Sequence, residues 1–398
     1  MTTPTISSSV ISPAGEADTP ENLLLSFSEE QARAAEKCIS RHIPFALYAD
    51  KADSGFSFIA GLPKEERTDG KAKKGTPGAP NTFSIGFFNH EQEPIALVGD
   101  LTAEQILSGD YVEDNIFEEA IIPAGKSTNR ILYNAQVFTI KNRLKGLRGG
   151  GKAVLSRIIV RKSAKSPVEV AKEYFRLHPK AFRAIYYHPE TGIWIVATPE
   201  LLIDYDWKSH RLYTMALAGS RPAGTQGPWD TKNLREHRYV VRHIDETLRR
   251  HDIICDYPSV PLVLNAGPVE HLYTPISADH KLAAQKLGEL LIDLSPTPAV
   301  AGYPLAVALD LIDNLELHRR YCYAGWIGWE RGSHVSLYVN LRSTLVTPVK
   351  NDEGDVDGYL YNVYAGGGIL SQSDADKEWE ETELKSRNLC DIIGGDNV

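Results

Sequence analysis

Cysteine is scarce, with four in 398 residues, and Cys38, Cys255, Cys322 and Cys390 stand far apart with no CxxC pair or Cys/His cluster. That argues against a structural zinc site and against a disulfide scaffold, and leaves them as buried thiols. Long apolar runs are also missing. The longest, Ala301–Ile312, is interrupted by Gly302, Pro304 and Asp310, well short of the ~18 apolar residues of a membrane span. Basic residues are in deficit, 43 against 52 acidic for a net charge of −9, so a broad basic face for nucleic acid is not expected. The first twenty residues lack a basic start followed by an apolar core, so no signal peptide is expected. The chain reads as a cytoplasmic enzyme with neither a membrane nor a nucleic-acid partner.

What is present is an ordinary globular composition, 42% hydrophobic and 24% charged, ample for a core. Residues 1–21, rich in Ser, Thr, Pro and Ala, read as a disordered tail. Residues 22–398 read as a single domain, since no shift of composition marks a linker after residue 82. Ser28, three residues before Gln31, caps a helix over Ser28–Arg41, and residues 63–81 read as an exposed loop. Strands are expected at Ala153–Val160, Ala184–Tyr187, Ile193–Ala197, Leu212–Ala216, Tyr323–Gly328 and His334–Leu341. Helical periodicity covers Val168–His178, Lys232–Arg250, Asp279–Leu291, Pro304–Leu317 and Lys377–Ile393. Strands in pairs and helices in blocks predict an α+β fold, with mainly antiparallel sheets layered with helices in two interleaved sub-layers.

Gly146-Leu-Arg-Gly-Gly-Gly151-Lys152 satisfies GxxxxGK, but Ala153 stands where a phosphate loop needs Ser or Thr. A phosphate loop also needs a strand before it and a helix after it. Here the apolar strand comes after, which fits a glycine turn better and leaves Lys152 oddly placed at the head of that strand.

Other charged residues stand against apolar surroundings. Glu200 lies within Ile195–Ile203, either as an edge residue or as a buried acid with a raised pKa. Glu236 falls four residues before the buried stripe Val240, Ile244, Leu248. It either points along that stripe and needs a cation, or stays wet in the first helical turn. Glu378, Glu381 and Lys385 share one helix face, with Glu381–Lys385 readable as an exposed i, i+4 pair. Tyr364-Ala-Gly-Gly-Gly-Ile369 and Ala218-Gly-Ser220 read as turns whose bare N–H groups could approach a carboxylate. Arg342 offers a fork donor for a planar carboxylate. Together these point weakly to a di-acid small molecule held with a hard cation.

In this order the segments resemble the chorismate-utilising enzymes, most closely isochorismate synthases. The motifs are Gly151-Lys-Ala-Val-Leu-Ser-Arg157, Thr198-Pro-Glu-Leu-Leu202, Leu217-Ala-Gly-Ser220, Glu236-His237, His271-Leu-Tyr-Thr274 and Pro296-Thr-Pro-Ala-Val300. They continue with Tyr323-Ala-Gly325, Gly328-Trp329, Asn340-Leu-Arg-Ser343, Tyr364-Ala-Gly366 and Glu378-Trp-Glu-Glu-Thr-Glu-Leu-Lys385. The resemblance implies the anthranilate synthase component I-like fold, with residues 22–398 as one chorismate-binding catalytic domain. It implies Lys152 as the base that activates water and Glu200 as the acid that protonates the departing hydroxyl. It implies Glu236 and Glu381 as ligands of Mg2+, with Glu378 accessory through water. Gly219, Ser220, His271, Thr297, Ala299, Arg342, Gly366 and Lys385 are then expected to bind substrate.

Lysine at 152 and the absence of an attached glutamine-amidotransferase domain favour water over ammonia as nucleophile. A salicylate synthase, which adds pyruvate elimination, and a catalytically idle relative are the alternatives. The resemblance further implies a monomer with no amidotransferase subunit, feeding siderophore or menaquinone synthesis. Ser295, Asn233 and Tyr321 depart from the usual His, Asp and Gly. The Ser220–Glu236 stretch is short, and Val349–Gly358 looks inserted.

Overall fold

The computed structural model describes residues 26–50, 55–61, 79–89, 92–99, 101–109, 122–123 and 125–398. The tail expected over 1–21 and most of the loop expected over 63–81 lie outside the described residues. The chain begins with α1 (Glu29–Ser40), β1 (Phe45–Ala49), β2 (Ser57–Ala60), β3 (Ala79–Gly86), β4 (Ile95–Val98), α2 (Ala103–Ser108) and α3 (Arg130–Lys145). Next come β5 (Lys152–Ser163), α4 (Pro167–Leu177), β6 (Phe182–His188), β7 (Gly192–Thr198), β8 (Leu201–Asp206) and β9 (Arg211–Pro222). They are followed by α5 (Thr231–Arg250), β10 (Leu262–Ala266), β11 (Val269–Asp279), α6 (Ala284–Leu294), β12 (Gly302–Tyr303) and α7 (Leu305–Leu315). The chain ends with β13 (Trp326–Gly332), β14 (His334–Val339), β15 (Ser343–Lys350), β16 (Val356–Leu370), α8 (Ala375–Ile393) and β17 (Asp396–Asn397).

The strands form two antiparallel sheets. The first runs β12-β5-β16-β15-β7-β6-β1-β2, with β17 beside β5, and the second runs β10-β11-β9-β8-β14-β13-β3-β4. Their facing sides interdigitate Phe83, Tyr186, Trp194, Leu202, Tyr205, Ile327 and Tyr338, all buried. The outer side of the first sheet is covered in two patches. One joins Phe45, Ile185 and Ile195 to Phe175 of α4 and Leu389 of α8. The other joins Ala153 and Leu155 of β5 to Tyr133 and Val137 of α3 and Leu311 of α7. Period-two alternation therefore turns Lys152 and Val154 the other way, toward the second sheet.

The expected α+β, two-layer architecture is what forms. The Ser28 capping box is present, its hydroxyl accepting from Gln31 N. Several boundaries need correction. Asp279 closes β11, and the helix begins only at Ala284. Residues 321–325 form a turn with Tyr321 and Ala324 at φ 51° and 64°, so the strand expected from Tyr323 starts at Trp326. Tyr321 thus occupies the left-handed conformation that a glycine would take without strain. The glycine run 366–368 is extended strand within β16, paired with Leu155 and its neighbours on β5, not a turn. Ala218–Ser220 lies within β9, where Gly219, at φ 79°, is the extra residue of a bulge opposite His271 and Leu272. The stretch that looked inserted, 349–358, is the exposed end of the β15–β16 hairpin.

Two of the passages that carry the backbone from one sheet to the other are only two or three residues long. Residues 199–200 join β7 to β8, and residues 340–342 join β14 to β15. They lie side by side, with Val339 N donating to Glu200 O at 2.9 Å and Ala197 N to Arg342 O at 3.3 Å.

Candidate active site

A polar cleft opens between the sheets beside these passages. Its walls include Val154, Glu200, Gly219, Ser220, Glu236 and His271, with Ala299, Val300, Arg342, Gly366, Gly368 and Lys385 completing the polar and backbone lining. Tyr364 closes one side, stacked between Trp194 at 5.6 Å and Tyr323 at 4.9 Å. A larger open depression of about 650 Å³ near Phe27, Phe56 and Phe58 carries glutamates but no basic residue among its described lining, which does not suit an acidic ligand.

Lys152 is fully buried. Helix α3 ends at Lys145, the Gly146–Gly151 turn follows, and β5 starts at Lys152. That is helix, glycines, strand, the reverse of a phosphate loop, so the glycine-turn reading holds. The Lys152 ammonium meets Glu236 Oε1 at 2.9 Å. Glu236 sits in the second turn of α5, buried in line with Val240, Ile244 and Leu248, so it follows the stripe rather than staying wet at the helix start.

Gly368 makes this pairing possible. A Cβ there would lie 2.1 Å from Glu236 Oε1 and 2.8 Å from Lys152 Cε. Gly368→Ala is expected to push the two side chains apart. Turnover should fall by roughly tenfold or more, the scale of an ångström-level displacement, while far-UV circular dichroism stays that of the parent.

On α8 the Glu381–Lys385 pair exists at 2.6 Å, but it faces the cleft and is not exposed. Lys385 Nζ also donates to Gly366 O at 2.9 Å. Glu378 is buried and meets Lys232 Nζ at 2.8 Å. Sequence reasoning missed Lys232. Its signal is an amine one turn before Glu236 on α5, and its partner lies on the facing helix. The three glutamates thus hold one lysine each. Among the described residues no three His, Cys, Asp or Glu side chains converge as they stand to hold an ion.

The donor set itself, three carboxylates each now holding an ammonium as a stand-in cation, fits a hard divalent ion. Burial alone would depress Lys232, but Glu236, Glu378 and Glu381 outweigh it and hold the ammonium charged. Burial lifts Glu378 to about 7 against the pull of Lys232. For Glu381 burial pushes upward too, and Lys385 and Lys232 overcome it to hold the carboxyl at about 2.

Glu200 is the buried acid, 2% exposed. Burial raises it to about 8, against the opposing pull of Lys152 and Lys385, so it keeps its proton at neutral pH. Those two opposing influences also place both amines within electrostatic reach of the acid.

Arg342, at φ 52°, extends a guanidinium into the cleft with no carboxylate partner among the described residues. Its NH2 group donates to His271 Nε2 at 3.2 Å. Since arginine only donates, His271 Nε2 accepts and its Nδ1 proton faces Ser220 Oγ at 2.9 Å. Burial, Arg342 and Lys385 together hold His271 neutral. Asn233 completes this wall, its Oδ1 accepting from Ser220 N at 3.2 Å, a bond that the usual Asp would also make. Thr297 is set back from the cavity, its hydroxyl accepting from Ala299 N at 3.2 Å, so it shapes the loop that Ala299 and Val300 present. Ser295 is buried at the end of α6, outside the lining.

An acid kept protonated, a lysine, and a guanidinium with no carboxylate partner among the described residues thus line one cavity, with a buried amine behind its Glu236 and Gly368 wall. The sequence model of the family described as "Chorismate binding enzyme" matches residues 88–394. The chain belongs to the chorismate-binding enzymes. The salicylate biosynthesis isochorismate synthase of Pseudomonas aeruginosa is 32% identical over 260 residues, 62% of this chain and 52% of that one. This chorismate-binding chain therefore spans about half the length of that relative. Among solved structures, the menaquinone-specific isochorismate synthase MenF of Escherichia coli superposes with a TM-score of 0.69 at 19% identity, over 92% of both chains. Anthranilate synthase component I of Streptococcus pneumoniae follows at 0.56 and 16%, over 87% of this chain and 89% of that one. Both share the fold.

Proposed function

We propose that this chorismate-binding enzyme is an isochorismate synthase. The single observation that carries the reading is that buried Glu200 lines one cavity with the cationic Arg342 and Lys385, while the Lys152 amine lies directly behind the Glu236 and Gly368 wall of that cavity. Water, losing a proton to Lys152, adds at ring C2 of chorismate. The ring double bonds shift, and the 4-hydroxyl departs with the proton of Glu200. The pKa displacement of Glu200 keeps that proton available at pH 7.

Arg342, oriented by neutral His271, would bind a carboxylate through its planar fork, with Lys385 beside it. Glu236 and Glu381, with Glu378 nearby, would hold Mg2+, and a hard cation there would supply charge to neutralise the ring carboxylate.

The same reading includes a monomer in the cytoplasm, without an amidotransferase subunit, supplying siderophore or menaquinone synthesis. Among the described residues no helix is long and apolar enough to cross a membrane. The test is incubation of the purified chain with chorismate, with Mg2+ and with EDTA. Isochorismate alone, formed only with Mg2+, is expected. Salicylate with pyruvate would replace the reading by a lyase, and no turnover would replace it by an idle chorismate binder.

A further inference from the structure

Strand β5 carries Lys152 along the edge of the first sheet, and its outer neighbour β12 is only two residues long, covering Lys152 and Ala153. Beyond it Val154 O and Ser156 N would be bare, next to the proposed base. A buried ion pair continues the ladder there. Arg320 NH2 donates to Val154 O at 2.8 Å, and Glu316 Oε1 accepts from Ser156 N at 2.6 Å and from Ser156 Oγ at 2.9 Å. Two further bonds, of 2.8 and 2.6 Å, join Arg320 to Glu316. The remaining Arg320 nitrogen, NH1, donates to Val300 O at 2.8 Å, on the cavity-lining loop that leads into β12. Val154 N closes the circuit by donating to Ala301 O at 2.8 Å. The guanidinium lies over Phe88 at 4.3 Å, and both charged side chains are almost wholly buried.

We propose that Arg320, locked by Glu316, is a positioning residue that holds the cavity-lining Ala299–Val300 loop against the Lys152–Val154 edge, and so sets the base relative to the substrate ring. The inference rests on the chorismate reading for what occupies the cavity. No shorter cation can do the same. An ammonium is a point donor, whereas the planar fork reaches two carbonyls and both carboxylate oxygens in fixed directions. The groups that would hold substrate carboxylates, Arg342 and Lys385, lie on other elements and make no hydrogen bond to this pair. Loosening it should therefore cost turnover more than affinity.

The experiment compares the full chain with Arg320→Lys and Glu316→Gln, the latter keeping an acceptor for Ser156 N should the lysine variant not fold. Three measurements are taken: kcat and KM for chorismate, thermal unfolding, and amide hydrogen exchange of the peptides covering 152–156 and 297–301. Expected are a kcat lower by roughly 10- to 100-fold, a KM within about threefold of the parent, and faster exchange confined to those two peptides. Unchanged exchange there overturns the tether itself, whatever the activity. Faster exchange with parental kcat reduces the pair to a structural clamp and overturns the positioning role. A parent chain inactive on chorismate instead removes the chorismate reading and the positioning claim with it, and the exchange data then still show whether the tether exists.

Discussion

Lys152→Ala abolishes isochorismate formation, by roughly 10²- to 10⁴-fold, the range that a positioned general base supplies. The expectation follows from burial. No other amine lies at the head of β5, and Lys152 is fully enclosed with Glu236 at 2.9 Å, so bulk water cannot substitute for it. Removing the amine also leaves Glu236 without its partner, and breaking one side of a buried pair costs about 3–5 kcal/mol. Rates are therefore compared per folded molecule, with the thermal midpoint measured alongside. A variant that remains folded and makes isochorismate at the parental rate eliminates Lys152 as the base.

Glu200→Gln is expected to be as damaging, because the amide has no proton to give to the leaving hydroxyl. It also leaves a signature in pH dependence. The carboxyl is raised from an ordinary 4.5 to about 8, chiefly by burial. The folded state therefore keeps a proton that the unfolded chain releases. That contribution to stability is complete below about pH 4.5 and is lost progressively as pH rises through about 8. The parent should lose thermal stability across this window, and Glu200→Gln should lose less, becoming relatively more stable at pH 8–9. Parental turnover should fall above about pH 8 as the acid ionises, a limb that the glutamine variant lacks. Parallel stability profiles for the two proteins would contradict a buried, protonated Glu200.

Legibility in the sequence followed physical locality. Caps and stripes written within one turn, such as Ser28 with Gln31 and Glu236 with Val240, Ile244 and Leu248, appear where their spacing puts them. Helix α3 escaped notice because its buried row of Tyr133, Val137, Ile140 and Leu144 is blurred by Ile131 and Phe138, which face solvent at 85% and 65% exposure. Strand β10 escaped because its edge position leaves Leu262 and Val263 about half exposed. At the site, Lys152 and Glu200 stand out against apolar neighbours, but only the ordered motifs of the resemblance gave them roles. The glycines 366–368 were read as a turn because a backbone held extended by β5 leaves no mark in its own composition. Lys232 and the Arg320–Glu316 clasp depend on partners brought near by tertiary packing, which no spacing along the chain encodes.

The two short passages between the sheets have a mechanical consequence. When two stacked plates rock against each other, points on the line joining them travel least and points at the free ends travel most. Glu200 and Arg342 sit on that line, tied by backbone bonds from Val339 and Ala197. Any such rocking would therefore move Glu200 and Arg342 little relative to each other. Chemistry placed at a pivot keeps its register without requiring the whole molecule to be stiff.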